Sequence, residues 1–477
     1  MIRFVAVTTL LLLSAIGSQA ARPNIVFILA DDLGVHDLAC YGRKDHRTPN
    51  LDALSDRGLR FTSAYAACPV CSPTRAALMT GKHPAGLHLT TFLPGRPDAA
   101  SQMLLQPKIV DGLPSAETTI AHDLKSAGYA TGCFGKWHLG GKGKQPKDFG
   151  FDLAYAGKAD TKPTETEGGK GEYDLTDAAI RFVEANRTKP FFVYLAHNNP
   201  HIPYAAYPER VKANAGAFEP TYAAVIETLD DAVGRLVKSL EGLKLIESTW
   251  VIFTSDNGGL HVPELSHDRI THNGPYRAGK GFLYEGGIRV PAIVAGPGMN
   301  AGVSDTPILT SDWRPTLRTI AGMTNEESKE TRLTDGVDLT KLFTGMELKT
   351  DRPLWWHLPH YTNQGSRPSG ALRDGQWKLI EHYATGRAEL FDLENDLGER
   401  SDRAEADPER VKRMRATLEA LRTAHKVQRN TPNPKFDPTE GKAVYGGLDP
   451  SVYDPRIRKF DELVKAWRRR MNAAILP

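Results

Sequence analysis

Six short stretches of the chain carry reactive side chains at spacings suited to one task, holding and attacking a small oxyanion. In Cys71-Ser72-Pro73-Thr74-Arg75-Ala76-Ala77-Leu78-Met79-Thr80-Gly81 a nucleophile stands two positions ahead of a proline, and proline is tolerated in the first turn of a helix. The residues from Ala76 to Met79 are good helix formers, and Gly81 suits a C-cap. The spacing places Cys71 at or just before a helix N-terminus, where backbone N–H groups and the macrodipole favour an anion. Arg75, one turn on, can fold its guanidinium fork back over the same spot. Taken alone, this short motif also fits a buried cysteine beside a surface helix.

Asp31-Asp32 and Asp256-Asn257 each end an apolar run. Three carboxylates and an amide oxygen are hard donors that suit Ca²⁺ or Mg²⁺ and are poor for Zn²⁺. Like charges so close repel unless a cation lies between them. In Gly135-Lys136-Trp137-His138-Leu139-Gly140 the lysine and histidine alternate after a strand and can point to the same side. His201 lies in Pro200-His201-Ile202-Pro203, with His197 as its competitor on the same loop. Lys280 lies in a glycine-rich stretch whose Glu285 and Arg289 read as structural.

With these motifs in place, the eleven residues from Cys71 to Gly81 resemble the signature of the type I sulfatases, the arylsulfatase-like family of the alkaline-phosphatase-like superfamily. That signature is Cys or Ser, any residue, Pro, any residue, Arg, then a short helix ending in Thr-Gly. The resemblance covers most of residues 23–400, including Thr48-Pro49-Asn50-Leu51-Asp52 and Arg373-Asp374-Gly375-Gln376-Trp377-Lys378-Leu379. It implies that a formylglycine-generating enzyme oxidises Cys71 to formylglycine (3-oxoalanine), whose hydrate is the nucleophile. It implies that Asp31, Asp32, Asp256, Asn257 and the converted residue 71 hold Ca²⁺. Arg75, Lys136, His138 and Lys280 would clamp the sulfate, and His201 would bind it. Either His201 or Lys280 would protonate the leaving oxygen. His138 would take a proton from the second hydroxyl, so that the sulfated hemiacetal collapses. The implied activity is hydrolysis of sulfate monoesters, on a sulfated carbohydrate, to alcohol and inorganic sulfate. An ordinary serine or cysteine could be sulfated but would lack this exit by elimination.

The elements that must position these groups are legible as well. Apolar runs at Asn24–Ala30, 130–134, Phe191–Ala196, 250–254 and 291–295 read as buried strands. Helical patterns at 50–58, 118–127, 174–186 and 222–240 alternate with them. This order predicts an α/β fold with a large, mostly parallel sheet flanked by helices. In such sheets ligands bind beyond the carboxyl ends of the strands, where the polar clusters fall. Residues 158–172 lack apolar periodicity and read as a mobile loop. After residue 345, short strands at Leu354–Leu358, 369–373, Trp377–His382 and 389–393 read as a smaller antiparallel sheet, followed by a helix over 408–425. The predicted organisation is a signal peptide over 1–20, a catalytic unit over 21–345, a small-sheet subdomain over 346–428, and an extended arm with a terminal helix over 429–477.

The first twenty residues carry Arg3, an apolar run from Phe4 to Ile16, and Ser18-Gln19-Ala20, which reads as a secretory signal with a small-residue cleavage site. The expectation is an exported protein, periplasmic or extracellular (lysosomal if eukaryotic), with no membrane span. A net charge of +3 over 477 residues is too mild to argue for nucleic acid, and Arg468, Arg469 and Arg470 read as a solvated helix face. Four cysteines do not make a disulfide scaffold; Cys40 and Cys133 could pair or stay buried. Trp355-Trp356-His357-Leu358-Pro359-His360-Tyr361 is either a sugar-contacting rim through His357 and His360 or packing between domains. Three other readings remain on the sequence. Cys68-Pro69-Val70-Cys71 is also a C-x-x-C. A phosphomonoesterase or phosphodiesterase of the same superfamily would share the fold. A chain whose Cys71 is never converted would be a sulfated-sugar binder.

Overall fold

The run Asn24–Ala30 (β1) is buried along its whole length, as a strand covered on both faces must be. Its alternate side chains feed two separate cores. Ile25, Phe27 and Leu29 join one, and Val26, Ile28 and Ala30 join the other. The computed structural model describes residues 22–265, 267, 270–324 and 334–475; the signal peptide read at 1–20 lies outside them.

β1 belongs to an eight-stranded sheet with Leu59–Phe61 (β2), Ala130–Gly135 (β3), Leu153–Tyr155 (β4), Phe191–Ala196 (β5), Thr249–Ser255 (β6), Ala292–Ala295 (β7) and Gly302–Ser304 (β8). The strand order is β8-β2-β7-β6-β1-β5-β3-β4. Every pairing is parallel except the two made by β7. Pro49–Asp56 (α1), Glu172–Asn186 (α4) and Pro220–Gly242 (α5) cover one face. Cys71–Thr80 (α2), Ile120–Ser126 (α3) and Trp313–Ile320 (α6) cover the other. Leu229, Val233, Leu236 and Leu240 form the buried stripe of α5, at the spacing its sequence pattern requires.

The register brings the ends of four neighbouring strands level. Ala30 pairs with Ser255, Leu29 with Ala196, and Gly135 with Ala196. Gly135 has φ +92°, and a Cβ there would lie 1.9 Å from the Ala196 carbonyl oxygen. Only glycine allows β3 to close on β5 at this point.

Leu354–Leu358 (β9), Ser369–Asp374 (β10), Trp377–His382 (β11) and Ala388–Asp392 (β12) form the smaller antiparallel sheet. Trp355, Leu372, Leu379 and Leu390 face Met414 and Leu418 of Pro408–Ala424 (α7). The other face, with Trp356 and Ile380, packs on the main unit against Tyr65 and Phe282. The two parts are also joined by charge. Lys378 Nζ lies 2.8 Å from both Glu285 and Glu399, all three side chains being fully buried. Glu285 also accepts from Arg289 and Tyr65, which is the structural role read for it.

Three expectations are corrected. Residues 429–455 are more than an extended arm. Thr431–Pro432 pairs with Leu104–Leu105, and Pro438–Tyr445 (α8) is a helix begun by Pro438 and capped by Asp437. The terminal helix, Asp461–Ile475 (α9), starts later than 456, because Arg456 is held by Asp454 in the preceding turn. Residues 158–171 are irregular as read, but 168–172 are buried and run beneath the candidate site. All four cysteines are free thiols. Among the described residues no helix is long and apolar enough to cross a membrane.

Lys378→Met leaves two buried carboxylates facing each other and should cost about 3–5 kcal/mol. Guanidinium unfolding of the two proteins measures it. A loss below about 1 kcal/mol would show that this pairing does not secure the small sheet.

Candidate active site

Each of the four level strands ends in a polar group that turns to the same place. β1 leads into Asp31 and Asp32, β6 into Asp256 and Asn257, β3 into Lys136 and His138, and β5 into the loop bearing His201. Backbone hydrogen bonds carry the sheet pattern one residue past the strands. Asp256 N donates to Ala30 O (3.2 Å), Lys136 N to Ala196 O (2.9 Å), and His197 N to Leu29 O (2.9 Å). Cys71 is the first residue of α2, which ends in Gly81 with φ +66°. Asp32 and His138 both hold positive φ, +67° and +56°. Such strain in non-glycine residues persists where surrounding structure over-determines it.

Each acid has a nearest base, and Arg75 Nη2 also lies 3.6 Å from Asp31 Oδ1. Lys136 Nζ is 2.5 Å from Asp31 Oδ2, and Lys280 Nζ is 2.7 Å from Asp32 Oδ2. Arg75 donates through Nε (2.9 Å) and Nη2 (2.7 Å) to Asp256 Oδ2, and through Nη1 to the Lys136 carbonyl (2.8 Å). Burial opposes ionisation of Asp31, but Lys136 and its neighbours hold it well below the usual carboxylate range. Burial and the nearby Asp31 push Asp256 up in spite of Arg75.

The Cys71 thiol is shaped by the same charges. Burial would raise its pKa, yet Lys136, His138 and Lys280 outweigh burial and bring it down to about 6. Burial pushes Cys68 and Cys133 the other way. His138 Nδ1 lies 3.2 Å from Cys71 Sγ, and its Nε2 is 2.9 Å from Leu93 O. A carbonyl can only accept, so Nε2 carries the hydrogen and Nδ1 is free to take a proton from residue 71. His201 is arranged in mirror fashion, with Nδ1 donating to Ile202 O (2.6 Å) and Nε2 3.5 Å from Asp32. Burial and Lys280 lower its pKa to about 4.

The cluster suits a hard cation. Oxygens of Asp31 and Asp32 and a ring nitrogen of His201 lie within 4.8 Å of one another. Among the described residues, Asp31 Oδ1 and Asn257 Oδ1 are buried acceptors with no hydrogen-bond donor. Buried oxygens of that kind are otherwise satisfied in folded proteins.

The structure thus brings together Cys71, Arg75, Lys136, His138, His201, Lys280, Asp31, Asp32, Asp256 and Asn257. It departs from the sequence reading at two points. Arg75 is fully buried and donates to Asp256 and to the Lys136 carbonyl, so the contacts it makes here position those groups. His357 is buried between Tyr383 and the Gln428 carbonyl, which is the packing alternative for that segment. His360 bonds Thr90 and lines a cleft of about 680 Å³ together with His138.

Sequence reasoning missed Lys170 and Glu172. Glu172 Oε1 accepts from the N–H groups of Asn198 and Asn199, 2.8 Å each, and its other oxygen pairs with His197. Lys170 Nζ donates to the carbonyls of Asn198 and His201. Both hold the His201 loop from below. No local motif marks them, because their partners lie 25 or more residues away.

A sequence model of the Sulfatase family matches residues 23–323. Human "Arylsulfatase A" is 35% identical over 423 residues, covering 79% of this chain and 78% of its own length. "N-acetylgalactosamine-6-sulfatase" from Canis lupus familiaris is 34% identical over 389 residues, covering 73% and 72%. Among solved structures, Ps i-CgsB in complex with k-i-k-neocarrahexaose has a TM-score of 0.73 at 28% identity, covering 93% of this chain and all of that one. With Cys71, the two lysines and the start of α2 in one place, the chain belongs to the sulfatase family, as a type I sulfatase of the alkaline-phosphatase-like superfamily, and is a sulfuric ester hydrolase.

Proposed function

We propose that this hydrolase removes sulfate from carbohydrate, with residue 71 as formylglycine and Ca²⁺ at the carboxylate cluster. The observation that carries this reading is the meeting of Cys71, at the N-terminus of α2, with Lys136, His138 and Lys280 beside buried, donorless oxygens of Asp31 and Asn257. Formylglycine supplies a hydrated aldehyde, one hydroxyl for attack on sulfur and a second that permits release of sulfate by elimination. Ca²⁺, held by Asp31, Asp32, Asp256, Asn257 and residue 71, supplies positive charge that favours an oxyanion there.

The chain's own groups do the rest. Lys136 and Lys280 stand where the dispersed charge of a sulfate ester needs preorganised donors. His138, its Nε2–H fixed on Leu93, presents Nδ1 to residue 71 and accepts a proton from it. Asp32, 2.7 Å from Lys280 Nζ, raises the pKa of that lysine in spite of burial. His201 Nε2 lies 3.5 Å from the same carboxylate. Lys280 and His201 are thus the two groups placed to give a proton to the leaving oxygen. Arg75 fixes Asp256 and the backbone at Lys136.

A carbohydrate substrate fits the cleft that opens from His138 past Thr91, Gln106, Lys108 and His360. It also fits relatives named for a sulfated N-acetylgalactosamine and a neighbour solved with an oligosaccharide. Residues 21–345 read as the catalytic unit, with 346–428 supporting it. Export through residues 1–20, and conversion of Cys71 by a formylglycine-generating enzyme, complete the reading.

Three outcomes are expected. Protein made in a host with the formylglycine machinery should show an aldehyde in the tryptic peptide containing residue 71, and Cys71→Ala should lower sulfate release about a thousandfold or more. An unmodified thiol in that host would move the assignment to a sulfated-sugar binder. Chelation should abolish turnover of 4-nitrophenyl sulfate, and Ca²⁺ should restore it, with bound metal read by elemental analysis; retention of full activity after verified metal loss would remove the cation from the mechanism. In protein made without conversion, alkylation of Cys71 by iodoacetamide should rise with pH through a midpoint near about 6, whereas Cys40, whose thiol is pushed up to about 12, should stay unreacted. His138→Ala should move the Cys71 midpoint upward, as peptide mass spectrometry would record.

A further inference from the structure

The cleft that leads away from His138 is walled mainly by one segment, residues 91–111, which lines it with Thr91, 93–98 and 106–111. Apart from the two-residue strand Leu104–Leu105, this segment has no regular secondary structure. A shape suited to a ligand must therefore come from bonds to other parts of the chain. Two different parts supply them. The end next to the chemistry is held by α2, where Leu93 N donates to Ser72 Oγ at 3.1 Å, while Leu93 O holds His138. The rest is held from outside by residues 428–437. Asn433 N donates to Met103 O (2.9 Å), and its Nδ2 donates to the carbonyls of Ala99 (3.0 Å) and Gln102 (2.8 Å). Asp437 N donates to Ala100 O (2.8 Å), and Gln428 Nε2 to Lys108 O (2.7 Å).

Asn430 joins two walls of the cleft. Its Nδ2 donates to Leu105 O (2.9 Å) and to Pro359 O (2.8 Å). One amide thus ties the run leading to Gln106 and Lys108 to the residue before His360, and all three of those residues line the cleft. Gln106 closes the same seam, its Oε1 accepting from Tyr361 N at 3.1 Å. The arm is itself anchored at both ends. Before it, Gln428 O accepts from His357 Nε2 (2.8 Å). After it, Tyr445 of α8 packs on Tyr361 with ring centroids 5.4 Å apart, and Trp467 of α9 donates to the Val444 carbonyl of α8 at 3.0 Å. Arg468 beside Trp467 turns inward to Glu264 (3.2 Å) while Arg469 and Arg470 are exposed, which corrects the expectation of a solvated basic face.

We infer that residues 428–433 are a specificity device, in which Asn430 and Asn433 are positioning residues that set the shape of the cleft where the saccharide beyond the sulfate lies. This rests on the reading of that cleft as the saccharide site. The bonds of the arm fall on residues 99–108 and 359, away from Leu93 and His138, so the arm acts on selection of the alcohol portion and leaves the sulfur chemistry to the strand ends. Asparagine suits the task because one planar amide offers two donors and can bridge two carbonyls.

The test measures kcat/KM on 4-nitrophenyl sulfate and on the best substrate in a panel of monosulfated disaccharides. For Asn430→Ala and Asn433→Ala the disaccharide value should fall about five- to thirtyfold, chiefly through KM, while the value for 4-nitrophenyl sulfate stays within about twofold. Asn430→Asp keeps the size and loses both donors, so it should fall as far as Asn430→Ala. Asn430→Gln keeps the donors on a longer stem and should lie between Asn430→Ala and wild type. Equal losses on both substrates, or an Asn430→Asp protein that behaves as wild type, would overturn the inference while leaving the sulfatase assignment in place. Hydrogen exchange read by peptide mass spectrometry provides an arm that needs no turnover. In Asn430→Ala and Asn433→Ala the amides of residues 98–106 should exchange about tenfold faster than in wild type, with those of residues 71–81 unchanged. A uniform rise, or none, would show that the arm does not shape the cleft. If wild type turned over 4-nitrophenyl sulfate but no disaccharide, the carbohydrate reading would fail by itself, and the exchange pattern would still decide whether the arm holds the cleft.

Discussion

The protein depends on neutralising three carboxylates buried at one point. Asp31, Asp32 and Asp256 are at most 2% exposed, and each has its own cation, Lys136, Lys280 and Arg75 respectively. No single pair accounts for the balance, since removal of any cation strands a buried charge. The arrangement also decides the chemistry of residue 71. The lysines that offset the carboxylates lower the pKa of the neighbouring thiol, and the same field favours any oxyanion formed there.

Such a cluster needs a frame that does not yield. Parallel strands provide it because their ends are level and their backbone bonds are shared with neighbours on both sides. Gly135 lets β3 approach β5, and the left-handed turns at Asp32 and His138 aim side chains that regular strands would send elsewhere. Glu172 then holds the His201 loop through two backbone N–H groups. A site built on strand ends and braced in this way keeps the positions that preorganised donors require.

The outer parts of the chain are secured to the main unit by packing and by charge. The smaller sheet is tied to the main unit by an apolar face and the buried Glu285–Lys378–Glu399 group. Helices α8 and α9 pack on each other, with Trp467 donating to the Val444 carbonyl.

Much of this was legible in the residues themselves. The apolar runs, the Pro73 and Gly81 punctuation of α2, and the polar groups ending each strand specify local structure through side-chain period and backbone preference, which need no distant partner. They determined the α/β architecture and the smaller sheet, and they marked the residues that the structure gathers at the strand ends. Long-range geometry decided the rest. Arg75 has the right type and spacing to grasp an anion, and the contact it makes here runs to Asp256, 181 residues away. His357 belongs to an aromatic stretch that could face sugar or protein, and Tyr383 with Gln428 decides for protein. Lys170 and Glu172 sit in a stretch without periodicity and gain meaning only through the loop they support. Arg468 stands among basic residues that read as solvated, and it turns inward because Trp467 beside it packs on α8. Which residues can do chemistry follows from side-chain type and local spacing; which of them are free to do it depends on partners supplied by remote segments, and only the folded chain brings those within reach.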